Sequence, residues 1–325
     1  MADFEGRRER LATLLNELDL FFLTDPTDIF YYTGYRPSGA VYLALGRECT
    51  LFATSTENET ETTGVEVRYF SRFREVARQL KGRIGYDEGS LLAVHYQLLK
   101  KRAKLGPARK LIKQPRGVKD RKEINLIREA IGITKNAFKT DIYGRKESHV
   151  ARSIEIGFMQ NGGGLAFPAI VAAGKNGYYI HHAPSDYKIS RWDMCIIDCG
   201  ATANGYCADV TRTFYSGSDS KQAQIYSWLL EVSQKVVDKI EAGLEFSELQ
   251  EIYKKEMVKR RCSVMHYIGH SVGMEVHEPL ETLQPGSVIT VEPGIYIKGF
   301  GGARVEDMVL VKKSGAEVLT KRIKR

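Results

Sequence analysis

Met194-Cys195-Ile196-Ile197-Asp198-Cys199-Gly200-Ala201-Thr202-Ala203-Asn204-Gly205-Tyr206-Cys207-Ala208-Asp209-Val210-Thr211-Arg212-Thr213-Phe214-Tyr215 is the stretch whose reading decides the fold. Two strand-like runs flank Asn204-Gly205, a dipeptide that favours a tight hairpin because both residues accept positive φ. Asp198 sits near the end of the first run and Asp209 sits in the second, each preceded by uncharged residues. A buried ionised carboxylate is costly unless it is paired or bound to a metal. Side chains alternate along a strand, so Met194, Ile196 and Asp198 share one face and Cys195, Ile197 and Cys199 the other. Cys207 has the parity of Asp209 and is expected near it. The cysteines read as core fillers rather than as zinc ligands.

Working outward, helices flank this hairpin. One is expected from about Asp120 to Lys139, with Ile124, Ile127, Ile131 and Phe138 at helical spacing. A second runs over Glu147–Gln160 and stops at Asn161-Gly162-Gly163-Gly164. A third covers about Lys221–Ala242 with Gly243 as its C-cap, and a fourth opens at Ser247, with Gln250 completing a capping box. Further strands follow at Ser287–Val291 and Ala303–Val311. The C-terminal two-thirds is therefore read as an α+β domain. Before it, a helix over 7–19 (Leu11, Leu14, Leu15 and Leu18 on one face) and short strands at Leu20–Leu23, Ala40–Leu45 and Thr50–Ala53 form a smaller α/β unit. The Gly/Pro-punctuated stretch around Gly106-Pro107 and Gln114-Pro115 marks the boundary, giving domains 1–115 and 116–325.

The chain has 325 residues, of which 43% are hydrophobic and 27% charged, which excludes disorder as its dominant state. No apolar run approaches the ~20 residues that cross a bilayer. The N-terminus has no apolar segment of secretory type, and five cysteines without zinc-finger spacing suit free thiols in a reducing compartment; the expected location is the cytoplasm. Net charge is +8, yet Lys100–Lys122 holds eleven basic residues and one acid, and Lys321–Arg325 forms a second basic cluster. No aromatic residues interleave the longer stretch, so a solvated face is favoured over a nucleic-acid footprint.

Three of the seven histidines, His266, His270 and His277, fall within twelve residues. Gly269 and Gly273 flank His270 and suggest a backbone that something approaches closely. Glu292, in Thr290-Val291-Glu292-Pro293-Gly294, and Glu306, in Arg304-Val305-Glu306-Asp307, complete a set of four acids in strand contexts. Singly, each acid reads as well as a turn carboxylate. Together with a Gly-flanked histidine they read as a site. Four carboxylates and one imidazole, with no thiolate, favour Mn²⁺ and its neighbours, with Co²⁺ or Fe²⁺ tolerated. Five ligands exceed the need of one catalytic metal and suit two that share bridging carboxylates, which is hydrolase chemistry.

At these residues the chain resembles the metallopeptidases of the pita-bread fold, the clan of methionine aminopeptidase, Xaa-Pro aminopeptidase and prolidase. The resemblance runs from about residue 111 to the end. Asp25-Pro26-Thr27-Asp28-Ile29-Phe30-Tyr31-Tyr32-Thr33-Gly34-Tyr35 also resembles the smaller N-terminal domain of the proline-specific branch. It implies Asp198, Asp209, His270, Glu292 and Glu306 as ligands of two divalent ions, Mn²⁺ or Co²⁺ first and Fe²⁺ or Zn²⁺ as alternatives. Asp209 and Glu306 would bridge, and Glu292 would also shuttle a proton. It further implies His277 and His181 as substrate histidines, the spacing to Asp186 favouring His181 over His182. His266 would help to hold the residue after the cleaved bond. Arg304, two residues before Glu306, matches an arginine of the Xaa-Pro enzymes; it can orient a carboxylate ligand or attract a substrate carboxylate. The plain alternative is an ion pair with Glu306 or Asp307.

The expected activity is hydrolysis of the bond before proline in Xaa-Pro dipeptides, by a homodimer with no membrane partner. The alternatives are an Xaa-Pro aminopeptidase acting on longer peptides, then a methionine aminopeptidase, then a non-catalytic relative that binds nucleic acid. The short N-terminal region favours the dipeptidase, and the presence of all five ligand positions weighs against the non-catalytic relative.

Overall fold

A computed structural model describes residues 3–57, 62, 64–216 and 219–323. The chain divides into two compact units, Met1–Pro115 and Arg116–Arg325. Lys324 and Arg325 of the terminal basic cluster lie outside the described residues.

The first unit runs α1 (Phe4–Ala12), β1 (Leu20–Leu23), α2 (Pro26–Thr33), β2 (Val41–Leu45), β3 (Cys49–Thr54), β4 (Glu66–Phe70), α3 (Phe73–Gln79), β5 (Gly82–Tyr86), α4 (Ala93–Leu99), β6 (Ala103–Pro107) and α5 (Arg109–Lys113). Its mixed sheet has the order β4-β3-β2-β1-β5-β6 among the described residues. β1 is central, which explains why Phe21, Phe22 and Leu23 are all buried rather than alternating. The first helix is shorter than the leucine spacing predicts. It ends at Ala12, Leu14 and Leu15 continue in turns, and Asn16 adopts φ 47°. α2 is set by its cap: Asp25 accepts from Thr27 N and Asp28 N, and Pro26 needs no N–H in the first turn.

The second unit runs α6 (Arg121–Thr134), α7 (Glu147–Gln160), β7 (Gly164–Leu165), β8 (Ile170–Ala173), β9 (Cys195–Cys199), β10 (Ala201–Ala203), β11 (Tyr206–Cys207), β12 (Val210–Phe214), α8 (Ser220–Val237), α9 (Phe246–Lys259), β13 (Val288–Val291), β14 (Gly294–Ile297), β15 (Gly301–Arg304), β16 (Asp307–Val311) and β17 (Ala316–Val318). α6 is fixed by a capping box between Asp120 and Glu123, and a 3-10 turn over Lys135–Lys139 finishes the expected helix. The cap of α9 is Glu245 with Glu248, not Ser247 with Gln250, and Gly243 lies beyond the end of α8, donating instead to the Leu283 carbonyl.

The hairpin turn forms at Asn204 and Gly205, with φ 48° and 87°. Ala203 faces Tyr206 across it. β9 lies between β8 and β12, placing Asp198 opposite Ile170 and Thr211. Alternation along β9 holds: Cys195, Ile197 and Cys199 pack with Val150, Ile154 and Phe158 of α7, whereas Ile196 packs with Ala172 and Tyr296. The parity argument for Cys207 fails. The ladder is broken at Ala208 and Asp209 between β11 and β12, and the Cys207 thiol turns to the Met274 carbonyl at 3.5 Å.

Helices α8 and α9 share a core with β13 to β16 residues, and α6 shares another with β11, β12 and β16. Ile289, Val309 and Val311 thus face α8 and α9 while Val288, Met308 and Leu310 face α6, so the β13–β16 sheet has helices on both sides. No helix of the described residues is long and apolar enough to cross a membrane.

Candidate metal centre and active site

The acids sit where strands end or break. Asp198 is the fourth residue of β9, Asp209 precedes β12, Glu292 follows β13, and Glu306 fills the gap between β15 and β16. Glu306 N donates to the Thr211 carbonyl at 3.0 Å, which brings that gap against β12. The histidine segment is laid along β13 by main-chain bonds: Glu292 N donates to Ile268 O and Thr290 N to His270 O, both at 2.8 Å. Gly269 is required there, because a Cβ would lie 2.1 Å from the Thr290 carbonyl oxygen.

These paths converge. Asp209, His270 and Glu306 each offer one ligand atom, all within 4.8 Å of one another. His270 Nε2 lies 3.5 Å from Asp209 Oδ2 and 3.4 Å from Glu292 Oε1. Asp198 stands apart from that trio: Arg304 Nη2 donates to its Oδ2 at 2.6 Å, while its Oδ1 is buried without a hydrogen-bond partner.

The electrostatics fit a cation site. Burial, then the charges of Glu306, Asp198 and Glu292, push the Asp209 carboxyl well above the usual range. Burial and the neighbouring acids do the same to Glu306. Burial raises Glu292 to about 7, with Arg304 opposing it. Burial, then His277, lowers His270 to about 4, so its imidazole is neutral and open to a metal. Crowded carboxylates with an orphaned oxygen and a neutral imidazole are what divalent ions would satisfy.

His277 is packed edge-on to His270, ring centroids 4.0 Å apart, and burial depresses its pKa. His266 Nε2 is 3.0 Å from Tyr296 OH, and burial pushes it down to about 4. His181 is exposed and close enough to lower both His266 and His277 by its charge. His182 does different work: its Nε2 is 2.9 Å from Glu147, a buried carboxylate that also takes bonds from Ala173 N and Ser185.

Arg304 is 2% exposed and commits its donors to Asp198, Tyr296 OH at 2.8 Å and Thr211 Oγ1 at 3.1 Å. Its partner is therefore neither Glu306 nor Asp307, and Asp307 pairs with Arg212 at 2.9 Å.

Three positioning groups escaped the sequence reading. Thr211 Oγ1 donates to Glu306 Oε2 at 2.7 Å, and Thr290 Oγ1 donates to Glu292 Oε1 at 3.3 Å. Tyr296 links His266 to Arg304. The threonines lie two residues from Asp209 and Glu292, so strand parity was the available signal; Tyr296 had none.

A second acidic group, Asp25, Asp28 and Asp87, lies in the first unit. Lys113 Nζ stands 3.6 Å from Asp28 and Arg109 3.1 Å from Asp87, so cations of the chain itself already answer it.

Known proteins resemble this chain in sequence and fold. The profile of metallopeptidase family M24 matches residues 125–313, and that of the creatinase/prolidase N-terminal domain matches residues 7–118. An Xaa-Pro dipeptidase of Pyrococcus furiosus is 34% identical, over 97% of this chain and 98% of its own. The solved Xaa-Pro dipeptidase from Bacillus anthracis superposes with a TM-score of 0.93 at 28% identity, covering 99% of each chain. An X-Pro aminopeptidase structure from Thermotoga maritima gives 0.86 at 28% identity, covering 97% of each. The chain thus belongs to metallopeptidase family M24, a metal-dependent peptidase with a creatinase/prolidase-type domain ahead of its pita-bread unit.

Proposed function

We propose that the chain is a prolidase, hydrolysing the peptide bond before proline in Xaa-Pro dipeptides. The observation that carries this is an undiminished donor set, Asp198, Asp209, His270, Glu292 and Glu306, in a chain that a named Xaa-Pro dipeptidase matches over 97% of its length. These five residues would hold two divalent ions, and their oxygen-rich chemistry supports Mn²⁺ or Co²⁺. Bound ions activate water and polarise the scissile carbonyl.

The chain's own residues do the rest. Glu292 takes the proton of the attacking water and passes it to the departing proline nitrogen. His277 and His181 donate to the carbonyl oxygen as charge develops on it. His266, held by Tyr296, faces the residue after the cleaved bond. Arg304 fixes Asp198 in the orientation its ligand role needs. We also propose that catalysis resides in residues 116–325 and that residues 1–115 form the smaller domain, which the division into units supports. A homodimer follows from the resemblance alone, and five free cysteines suit the proposed cytoplasmic location.

The aminopeptidase likeness keeps a second reading in play, Xaa-Pro cleavage from longer peptides. Metal-stripped protein reloaded with Mn²⁺ or Co²⁺ should be offered a Met-Pro dipeptide, a Met-Pro tetrapeptide and a Met-Ala tetrapeptide. Cleavage of the dipeptide alone is expected. Cleavage of the Met-Pro tetrapeptide would establish the second reading, and cleavage of Met-Ala alone would overturn both. Glu292→Gln should abolish turnover, and near-native rates in that variant would remove Glu292 from the mechanism.

A further inference from the structure

The basic stretch divides in two. Lys100, Lys101, Arg102 and Lys104 are exposed, whereas Arg116 and Lys119 are 2% and 4% exposed, deep in the second unit. Both buried cations end on one carboxylate. Arg116 donates to Glu278 Oε1 through Nε at 3.1 Å and Nη2 at 2.6 Å, and Lys119 Nζ donates to Oε2 at 3.0 Å. Glu278 also gathers its own loop: Met274 N donates to Oε1 at 3.0 Å, and Glu278 N to the Ser271 carbonyl at 2.9 Å. Lys119 Nζ donates further to Ser271 Oγ at 3.1 Å. Arg116 Nη2 reaches Glu275 at 2.8 Å.

This loop starts next to His270 and ends next to His277. Its two ends are joined by the bridge between Ser271 and Glu278. The perpendicular contact of the two imidazoles therefore depends on the shape of residues 271–278. A charged carboxylate gathering main-chain donors inside a loop holds that shape only while cations balance it.

We propose that Arg116 and Lys119 are positioning residues, acting through the Glu278 carboxylate to hold the imidazoles of His270 and His277 in register. For its kinetic part, the proposal rests on His277 contacting substrate. It gives two members of the basic stretch a role inside the catalytic unit. Neither cation is asked to touch substrate; each acts through the placement of the two rings.

Two measurements on the full chain test it. The first needs no substrate: long-range ¹H–¹⁵N spectra of the histidine rings in metal-free protein. Lys119→Met should shift the His277 and His270 ring signals and leave His182, which is bonded to Glu147, in place. Lys119→Arg should restore them. Unshifted rings in folded Lys119→Met would overturn the proposal. Should that variant fail to fold, Ser271→Ala and Arg116→Lys carry the same comparison. The second is kinetic, on metal-loaded protein with an Xaa-Pro dipeptide. Lys119→Met should lower kcat about 10- to 100-fold with KM little changed. In a His277→Ala background it should add less than about twofold. An equal loss in both backgrounds would also overturn it. Rings that shift as expected in Lys119→Met, with a metal-loaded wild type that cleaves no Xaa-Pro dipeptide, would instead fault the prolidase reading.

Discussion

Glu278 ionises at about 2 despite a side chain that is 1% exposed, because Lys119 and Arg116 more than offset the cost of its burial. Its folded pKa lies below the ordinary 4.5, so the stability it contributes is full above pH 4.5 and is lost as pH falls toward 2. The contribution is on the order of 3 kcal/mol. Urea midpoints measured from pH 6 to 3 should fall more steeply for the wild type than for Glu278→Gln; parallel profiles would show that Glu278 is not the group titrating. At this scale the sequence spoke through polarity in the wrong place. Asp198 and Asp209 were conspicuous because their neighbours are apolar, and Glu306 because it falls within a strand-like run; the structure buries all three. Thr211 and Thr290 offered only their strand parity with Asp209 and Glu292, and Tyr296 offered nothing, because threonine and tyrosine are ordinary strand residues and the tertiary fold decides whom their hydroxyls meet.

At the scale of elements, the site is made by interruptions. Asp209, Glu292 and Glu306 all sit just outside a strand, where the ladder stops and the chain turns inward. The segment that carries His270 is held to β13 through a contact only glycine permits. Gly269→Ala should therefore force His270 away from Asp209 and Glu306, costing about 1–3 kcal/mol in stability and weakening metal binding as well. Calorimetric titration with Mn²⁺, alongside urea unfolding, checks both; unchanged affinity would show that the segment yields elsewhere. The hairpin at Asn204-Gly205 and the helix over Glu147–Gln160 were legible because their signals are local. The overlong first helix was not. Leucines at 14, 15 and 18 satisfy a helical pattern equally well in turns, and Asn16 decided the matter by adopting positive φ.

For the whole molecule, the second unit gathers negative charge at the candidate centre, where burial, then Asp198 and its neighbouring acids, raise the pKa values of Asp209, Glu292 and Glu306 and Arg304 opposes them. Divalent ions should stabilise the native state selectively, since the unfolded chain scatters these ligands. At a hundredfold excess over Kd the gain is about 2.7 kcal/mol. Mn²⁺ should therefore raise the melting temperature of the wild type and leave Asp209→Asn nearly unmoved; equal rises would place the binding elsewhere. Composition placed the chain among folded, two-domain proteins and favoured a solvated basic face, which most of the stretch is, but it did not single out the buried Lys113, Arg116 and Lys119. A face in solvent and a pair of interior counter-ions look the same in a count of lysines and arginines.

Arg116 opens the second unit and Lys119 lies three residues on, both upstream of residue 125, where the family match begins. Recombinant dissection at that match would leave Glu278 enclosed without either of its cations. The catalytic unit proposed above is thus longer than the M24 match at residues 125–313, and a cut meant to isolate it belongs ahead of residue 116.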